Sequence, residues 1–143
     1  MSLELAGFER QVVVFLLGEQ RYAVDIRAVR EIVRHTPPSA RAAAGPGGDG
    51  LIVLRGTTIP VYRLATLLRL PEGASASIVV CETFDGVFGL VVDGIERVHT
   101  LGAAQLEDLP HLVAHAPYVE GIARIEDDLV VLLLPDWLLD AAA

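Results

Sequence analysis

Short apolar runs, each closed by a turn signal, recur along this chain at spacings of about 8–12 residues, and that rhythm confines it to a mainly β arrangement. Val12 to Leu17 is one such run; Gly18–Glu19–Gln20 reverses it and Arg21 to Val24 returns, which predicts a hairpin. Ser77 to Phe84 and Val87 to Asp93 flank Asp85–Gly86, a strong two-residue hairpin signal. Ile95 to Leu101 continues as strand, and Ile122–Ile125 and Leu129–Leu134 frame a turn at Glu126–Asp127–Asp128. Helical expectations are few. Asp25–Val33 reads as a short helical turn with Asp25 as its N-cap and Ile26, Val29 and Val33 on one stripe. Leu64 to Leu70 is a short piece closed by Pro71, Ala103 to Leu109 a short helix or loop, and Pro135–Leu139 a closing helix with Trp137 half buried. Thr36 to Gly50, rich in Pro, Ala and Gly, reads as a loop, and Pro71 to Ala76 as a junction between subdomains.

The stretch Gly50 to Tyr62 carries the most information. Leu51 to Leu54 reads as a buried strand, Gly56 permits a tight reversal, and Thr58 to Tyr62 returns with Pro60 at an edge or bulge. A permanent cation, Arg55, therefore sits at the tip of an otherwise apolar hairpin, where charges seldom stand without a partner or a task. Glu31 lies beside the apolar stripe of the upstream turn and is a candidate two-pronged partner for that guanidinium. The other reading, two unrelated solvated charges, stays open on the residues alone.

With 143 residues the chain suits one domain, or two small subdomains sharing a core, and can bury roughly 68–70% of its unfolded surface without staples. Its single cysteine, Cys81, lies in the apolar run Ile78–Val79–Val80–Cys81 and reads as a buried, inert thiol in a reducing compartment. A net charge of −8 and the lack of any basic run argue against a nucleic-acid partner. The longest apolar stretch, Leu129 to Leu134, is far short of the ~20 residues that cross a bilayer, so no direct membrane insertion is expected. No basic region precedes a long apolar one at the N-terminus, and a cytoplasmic location is expected.

The same residues resemble a known family, the CheW-like domains of bacterial chemosensory arrays, found as free adaptors and as the regulatory domain of the histidine kinase CheA. Val29–Arg30–Glu31–Ile32 matches the family's "hydrophobic-x-E-I". Gly50–Leu51–Ile52–Val53–Leu54–Arg55–Gly56–Thr57–Thr58–Ile59–Pro60–Val61–Tyr62–Arg63–Leu64 matches its Asn-Leu-Arg-Gly and Ile-Pro-Val element. Gly89 to Ile95, and Tyr118 to Ile122 followed by Leu129 to Leu133, are similar to its later apolar patterns. The resemblance spans about Val12 to Leu139. It implies two small five-stranded SH3-like barrels packed together with a few short helices. It also implies one CheW-like domain over 10–143, with subdomain 1 at roughly 20–72 plus the chain end and subdomain 2 at roughly 77–125. Its implied function is a non-enzymatic adaptor that couples chemoreceptors to a CheA-type histidine kinase, without cofactors. The groove between subdomains would take the cytoplasmic hairpin tip of a methyl-accepting chemoreceptor, and a barrel end would dock the kinase's regulatory domain. Protein-binding residues carried over are Glu31 and Arg55, with Val29 and Gly50 beside them, and Val91–Val92–Asp93 offers a further surface.

Three positions depart from the pattern: Val53 stands for the usual Asn, Arg63 for Asp and Leu134 for Asp. The chain has neither Asn nor Lys, so all eleven of its Lys-or-Arg positions are Arg, a bias that suggests a coding preference.

Catalytic chemistry finds little support. Gly45–Pro46–Gly47–Gly48 lacks the Lys-Ser/Thr of a phosphate cradle, and no serine lies in a nucleophile elbow. His111 and His115, spaced i, i+4, form half of a metal site if helical, with Glu107 or Glu120 as a third ligand. They carry the alternative of a small metal-binding or enzymatic domain; the competing reading is two surface histidines. His35 and His99 read as isolated surface histidines.

Overall fold

A computed structural model describes residues 9–35, 48–84, 86–102, 105–107 and 117–142. The strands are β1 (Arg10–Leu17), β2 (Gln20–Asp25), β3 (Val29–Arg34), β4 (Gly48–Leu54), β5 (Thr57–Arg63), β6 (Ser77–Thr83), β7 (Gly86–Val92), β8 (Gly94–Leu101), β9 (Leu106–Glu107), β10 (Val119–Ile125) and β11 (Asp128–Leu133). The helices are α1 (Leu64–Leu67) and α2 (Pro135–Ala142), with a 3-10 turn at Ile26–Ala28. One sheet has the order β8-β1-β2-β11-β10-β9, the other β3-β6-β7-β5-β4. Leaving out the two-residue β9, each sheet has five strands, as the double-barrel expectation requires.

The apolar runs of β1, β6 and β7 are strands buried on both faces, whereas Leu51–Leu54, expected to be a buried strand, buries only Ile52 and leaves Val53 exposed, because β4 is an edge strand with one face open. In β1, Val12 and Val14 enter the interior of the first barrel with Ala23, Leu101, Ala123, Ile125, Val130 and Leu132. Their neighbours Val13, Phe15 and Leu17 point the other way, into a layer between the sheets that also holds Val79, Cys81, Phe88, Leu90 and Val92. In the second sheet Ile78, Val80 and Val91 fill the other barrel with Ile52, Ile59 and Val61. A strand of period two that is apolar at every position thus serves two cores at once. Truncating Phe15, which is fully buried in the shared layer, costs roughly 3–5 kcal/mol. Cys81 lies in that layer, and burial pushes its thiol up to about 12, as expected of an inert cysteine. Gly89 sits where a Cβ would come 2.7 Å from the Ile78 methyl, so β7 passes closer to its neighbour than any side chain allows.

Side chains bridge the open edges. In the first sheet Arg97 of edge strand β8 reaches Glu126 in the β10–β11 turn at 3.0 Å. In the second sheet, edge strands β3 and β4 are linked by Arg55–Glu31 and by His35–Asp49.

Three expectations are corrected. The helical turn predicted over Asp25–Val33 is a single 3-10 turn at Ile26–Ala28 followed by strand β3, although Asp25 does cap it, accepting the Arg27 N–H at 2.8 Å. Ile26 and Val29 do share a face, toward the layer between the sheets, but past the Arg30 bulge Val33 faces the second barrel with Ile78, so the three do not form one stripe. The stretch 71–76 does not divide the sheets, because β6 and β7 beyond it pair with β3 and β5 before it. The chain changes sheet at the 3-10 turn and again at Asp93. The short helix or loop expected at Ala103 to Leu109 contains the strand pair Leu106–Glu107, and its other residues, apart from Gln105, lie outside the described ones.

Candidate functional site

The β4–β5 hairpin turns on two residues, Arg55 and Gly56, with φ of +50° and +82°. Two positive φ angles in a two-residue loop match the right-handed twist of the flanking strands. Gly56 takes this conformation freely, whereas Arg55 holds it at a steric cost. An arginine in a position that suits Gly or Asn is there for its side chain. That side chain finds the partner expected for it: Arg55 Nε donates to Glu31 Oε2 at 3.2 Å and Nη2 to Oε1 at 3.4 Å. The Arg55 side chain is 80% exposed and that of Glu31 22%. So open a pair adds little to stability, and the guanidinium keeps donors facing solvent. The hydrogen bond to Glu31 holds the Arg55 pKa above its ordinary value.

Glu31 reaches this position through a bulge. Val29 pairs with Cys81 and Glu31 with Val80, so Arg30 is the extra residue. Facing residues share a side of the sheet; Val29 follows Cys81 into the layer between the sheets, and Glu31 follows Val80 toward the mouth of the second barrel. Val29 and Glu31, predicted to border one surface, are thereby placed on opposite faces. Gly50 is also apart from the pair. It is buried beside a second bulge, since Gly48 pairs with Tyr62 and Gly50 with Val61, and its φ of +135° favours glycine.

The second bulge projects Asp49. Its side chain, 5% exposed, receives Arg63 Nε at 2.7 Å on Oδ1, while His35 Nε2 lies 3.3 Å from Oδ2. Arg63 also donates to Glu72 at 2.6 Å. The charge reversal at Arg63 therefore has an internal partner, and His35, read as an isolated surface histidine, is part of this cluster. His99 is likewise not isolated: its ring lies 3.4 Å from the Gln105 amide oxygen. Of the other two departures, Val53 is exposed on the outer face of β4, and Leu134 lies half-buried ahead of α2.

Asp93, read as a possible binding residue, has a structural task. Its carboxylate accepts the N–H of Gly18 at 2.6 Å and of Ser75 at 3.0 Å. Its own N–H donates to the Leu16 carbonyl at 2.9 Å. One side chain thus clips the β1–β2 turn of one sheet to the loop before β6 of the other.

Sequence reasoning missed two exposed apolar residues on the faces turned toward the opposite sheet. Ile32 in β3 pairs with Val79, and Val98 in β8 pairs with Val13; both partners are buried in the shared layer, while Ile32 and Val98 are exposed at the edges. No spacing in the sequence marked Ile32, because its face is set by the bulge at Arg30. His111 and His115 lie outside the described residues, and among those described no group of His, Cys, Asp and Glu could hold a metal ion.

The CheW-like domain family model matches residues 11–143. The chain is 28% identical over 130 residues to the probable chemotaxis protein CheW of Rhizobium etli, covering 87% of this chain and 84% of that protein. It is 26% identical over 129 residues to the chemotaxis protein CheW of Rhizobium meliloti, covering 87% and 83%. The crystal structure of the scaffolding protein TtCheW from Thermoanaerobacter tengcongensis superposes with a TM-score of 0.80 at 27% identity, covering 92% of this chain and 88% of that one.

Proposed function

The chain belongs to the CheW-like domain family, and we propose that it serves chemotaxis as a non-enzymatic adaptor coupling chemoreceptors to a CheA-type histidine kinase in the cytoplasm. The observation that carries this reading is the Glu31–Arg55 pair, displayed at the open end of a barrel with its guanidinium largely in water. Such an arrangement suits recognition of another protein and lacks a reacting centre. The kinase's regulatory domain meets this end, and the Arg55 donors left over from Glu31 face its acceptors. The receptor's helical tip lies against the apolar residues left exposed on the faces that the two sheets turn to each other, Ile32 of β3 and Val98 of β8. Val29 and Gly50 support these surfaces from within, Val29 from the layer beneath Ile32 and Gly50 by shaping the hairpin that carries Arg55. No helix among the described residues is long and apolar enough to cross a membrane. The relatives, named as chemotaxis proteins, give the metal-binding reading of His111 and His115 no support.

The test is a pull-down with the purified chain as bait and, as prey, the cytoplasmic part of a chemoreceptor and the regulatory domain of a CheA-type kinase. The chain is expected to retain both. Arg55→Ala and Glu31→Ala each weaken kinase retention about tenfold, and Ile32→Glu weakens receptor retention by a similar factor. Failure to retain either prey overturns the adaptor reading. Kinase retention unchanged in both pair variants removes that surface.

A further inference from the structure

A groove of 660 Å³, which includes neither Glu31 nor Arg55, opens between the tip of the β6–β7 hairpin and the start of α2. Phe84, Leu134 and Pro135 supply its apolar wall. The Phe84 ring is 100% exposed, yet its backbone is tied down, because its N–H donates to Asp136 Oδ1 at 3.3 Å. A large apolar side chain left uncovered on an anchored backbone is already arranged for a partner.

The charges around it are unequal. Arg10 is held by both oxygens of Glu120 at 2.6 Å and lies 3.3 Å from Asp25, and Arg27 is paired with Asp25 at 3.0 Å. The groove's two cations are thus occupied by two of its acids. Glu82 and Asp136, on the same wall as Phe84, face no cation among the described residues. An acidic rim in a chain of net charge −8 repels phosphate-bearing surfaces, which disfavours nucleic acid and anionic lipid as occupants.

We propose that this groove binds a segment of a partner protein that sets an apolar side chain against Phe84 and a lysine or arginine against Glu82 and Asp136. Aromatic anchors beside a charge of fixed sign are the usual centre of such contacts. The proposal is independent of which proteins meet the Glu31–Arg55 end.

The test uses two fluorescein-labelled peptides of equal length, one alternating leucine and arginine, the other leucine and glutamate. Fluorescence anisotropy should show saturable binding of the arginine peptide and at least about tenfold weaker binding of the glutamate peptide. Phe84→Ser and Glu82→Arg should each weaken the arginine peptide about fivefold or more while the melting temperature stays put, since both side chains are exposed. Absence of saturation, equal binding of the two peptides, or wild-type affinity in Phe84→Ser overturns the proposal. Sedimentation showing that the chain pairs with itself through Phe84 also overturns it, assigning the groove to a second copy.

Discussion

Arg55 reaches Glu31 although β4 and β3 stand at opposite ends of the five-strand order, so the pair spans the seam at which the curled sheet meets itself. Reversing either charge sets like charges face to face. Arg55→Glu and Glu31→Arg are each expected to lower the melting temperature by about 2–4 °C, and the double swap to recover most of that loss. Thermal melts followed by circular dichroism read the cycle; strictly additive losses would mean that the contact contributes no coupling.

Asp93 holds backbone N–H groups from two loops that belong to different sheets. Removing a charged acceptor strands both donors, so Asp93→Ala should cost about 1.5–3 kcal/mol, measured as a lower urea midpoint at unchanged slope. Asp93→Asn, which keeps one acceptor oxygen, should lose roughly half as much.

Arg63→Asp restores the residue type of the family pattern but sets a second carboxylate against Asp49, which is almost fully buried. The expected result is a fall in melting temperature of several degrees, with partial recovery in Arg63→Asp/Asp49→Ser. A single variant as stable as wild type would show that Asp49 has no need of its guanidinium.

Acid should weaken the fold in a defined window. Burial works to raise the Asp25 carboxyl, but hydrogen bonds from Arg27 and the charges of Arg10 and Arg27 outweigh it, and the group sits below its ordinary value. The Glu96 carboxyl is held below its ordinary value by the hydrogen bond from Arg21. A carboxyl lowered on folding contributes stability that is complete above its unfolded pKa and disappears as pH falls through the folded one. The urea midpoint is therefore expected to be level from about pH 7 to 5 and to drop below about pH 4, less steeply in Asp25→Asn. A midpoint that rises on acidification would contradict the assignment.

Much of this was readable in the residues. Alternation, turn pairs and the run lengths of Val12–Leu17 and Ile78–Cys81 foretold the hairpins, and a lone arginine on an apolar tip made Glu31 a candidate partner beside the reading of two solvated charges. What escaped depended on bulges. The extra residue at Arg30 sends Val29 and Glu31 to different sides, and the one at Asp49 swings a carboxylate toward His35 and Arg63. A bulge is fixed by how two strands meet, and a single strand's spelling does not contain it. The helical reading of 25–33 failed with it: spacing alone put Ile26, Val29 and Val33 on one stripe, whereas the bulged strand turns Val33 to the second barrel and leaves Ile26 and Val29 in the layer between the sheets. The expected junction at 71–76 rested on Pro and Gly content, which marks a loop but not which sheet the next strand joins.

The two-faced burial of β1 bears on how an adaptor handles force. Since alternate side chains of one strand plug into both lobes, neither lobe can pivot without tearing out the other's packing. Proteins gripping the molecule at different points would be kept at a set spacing and angle, and a tilt imposed by one would arrive at the other undiminished.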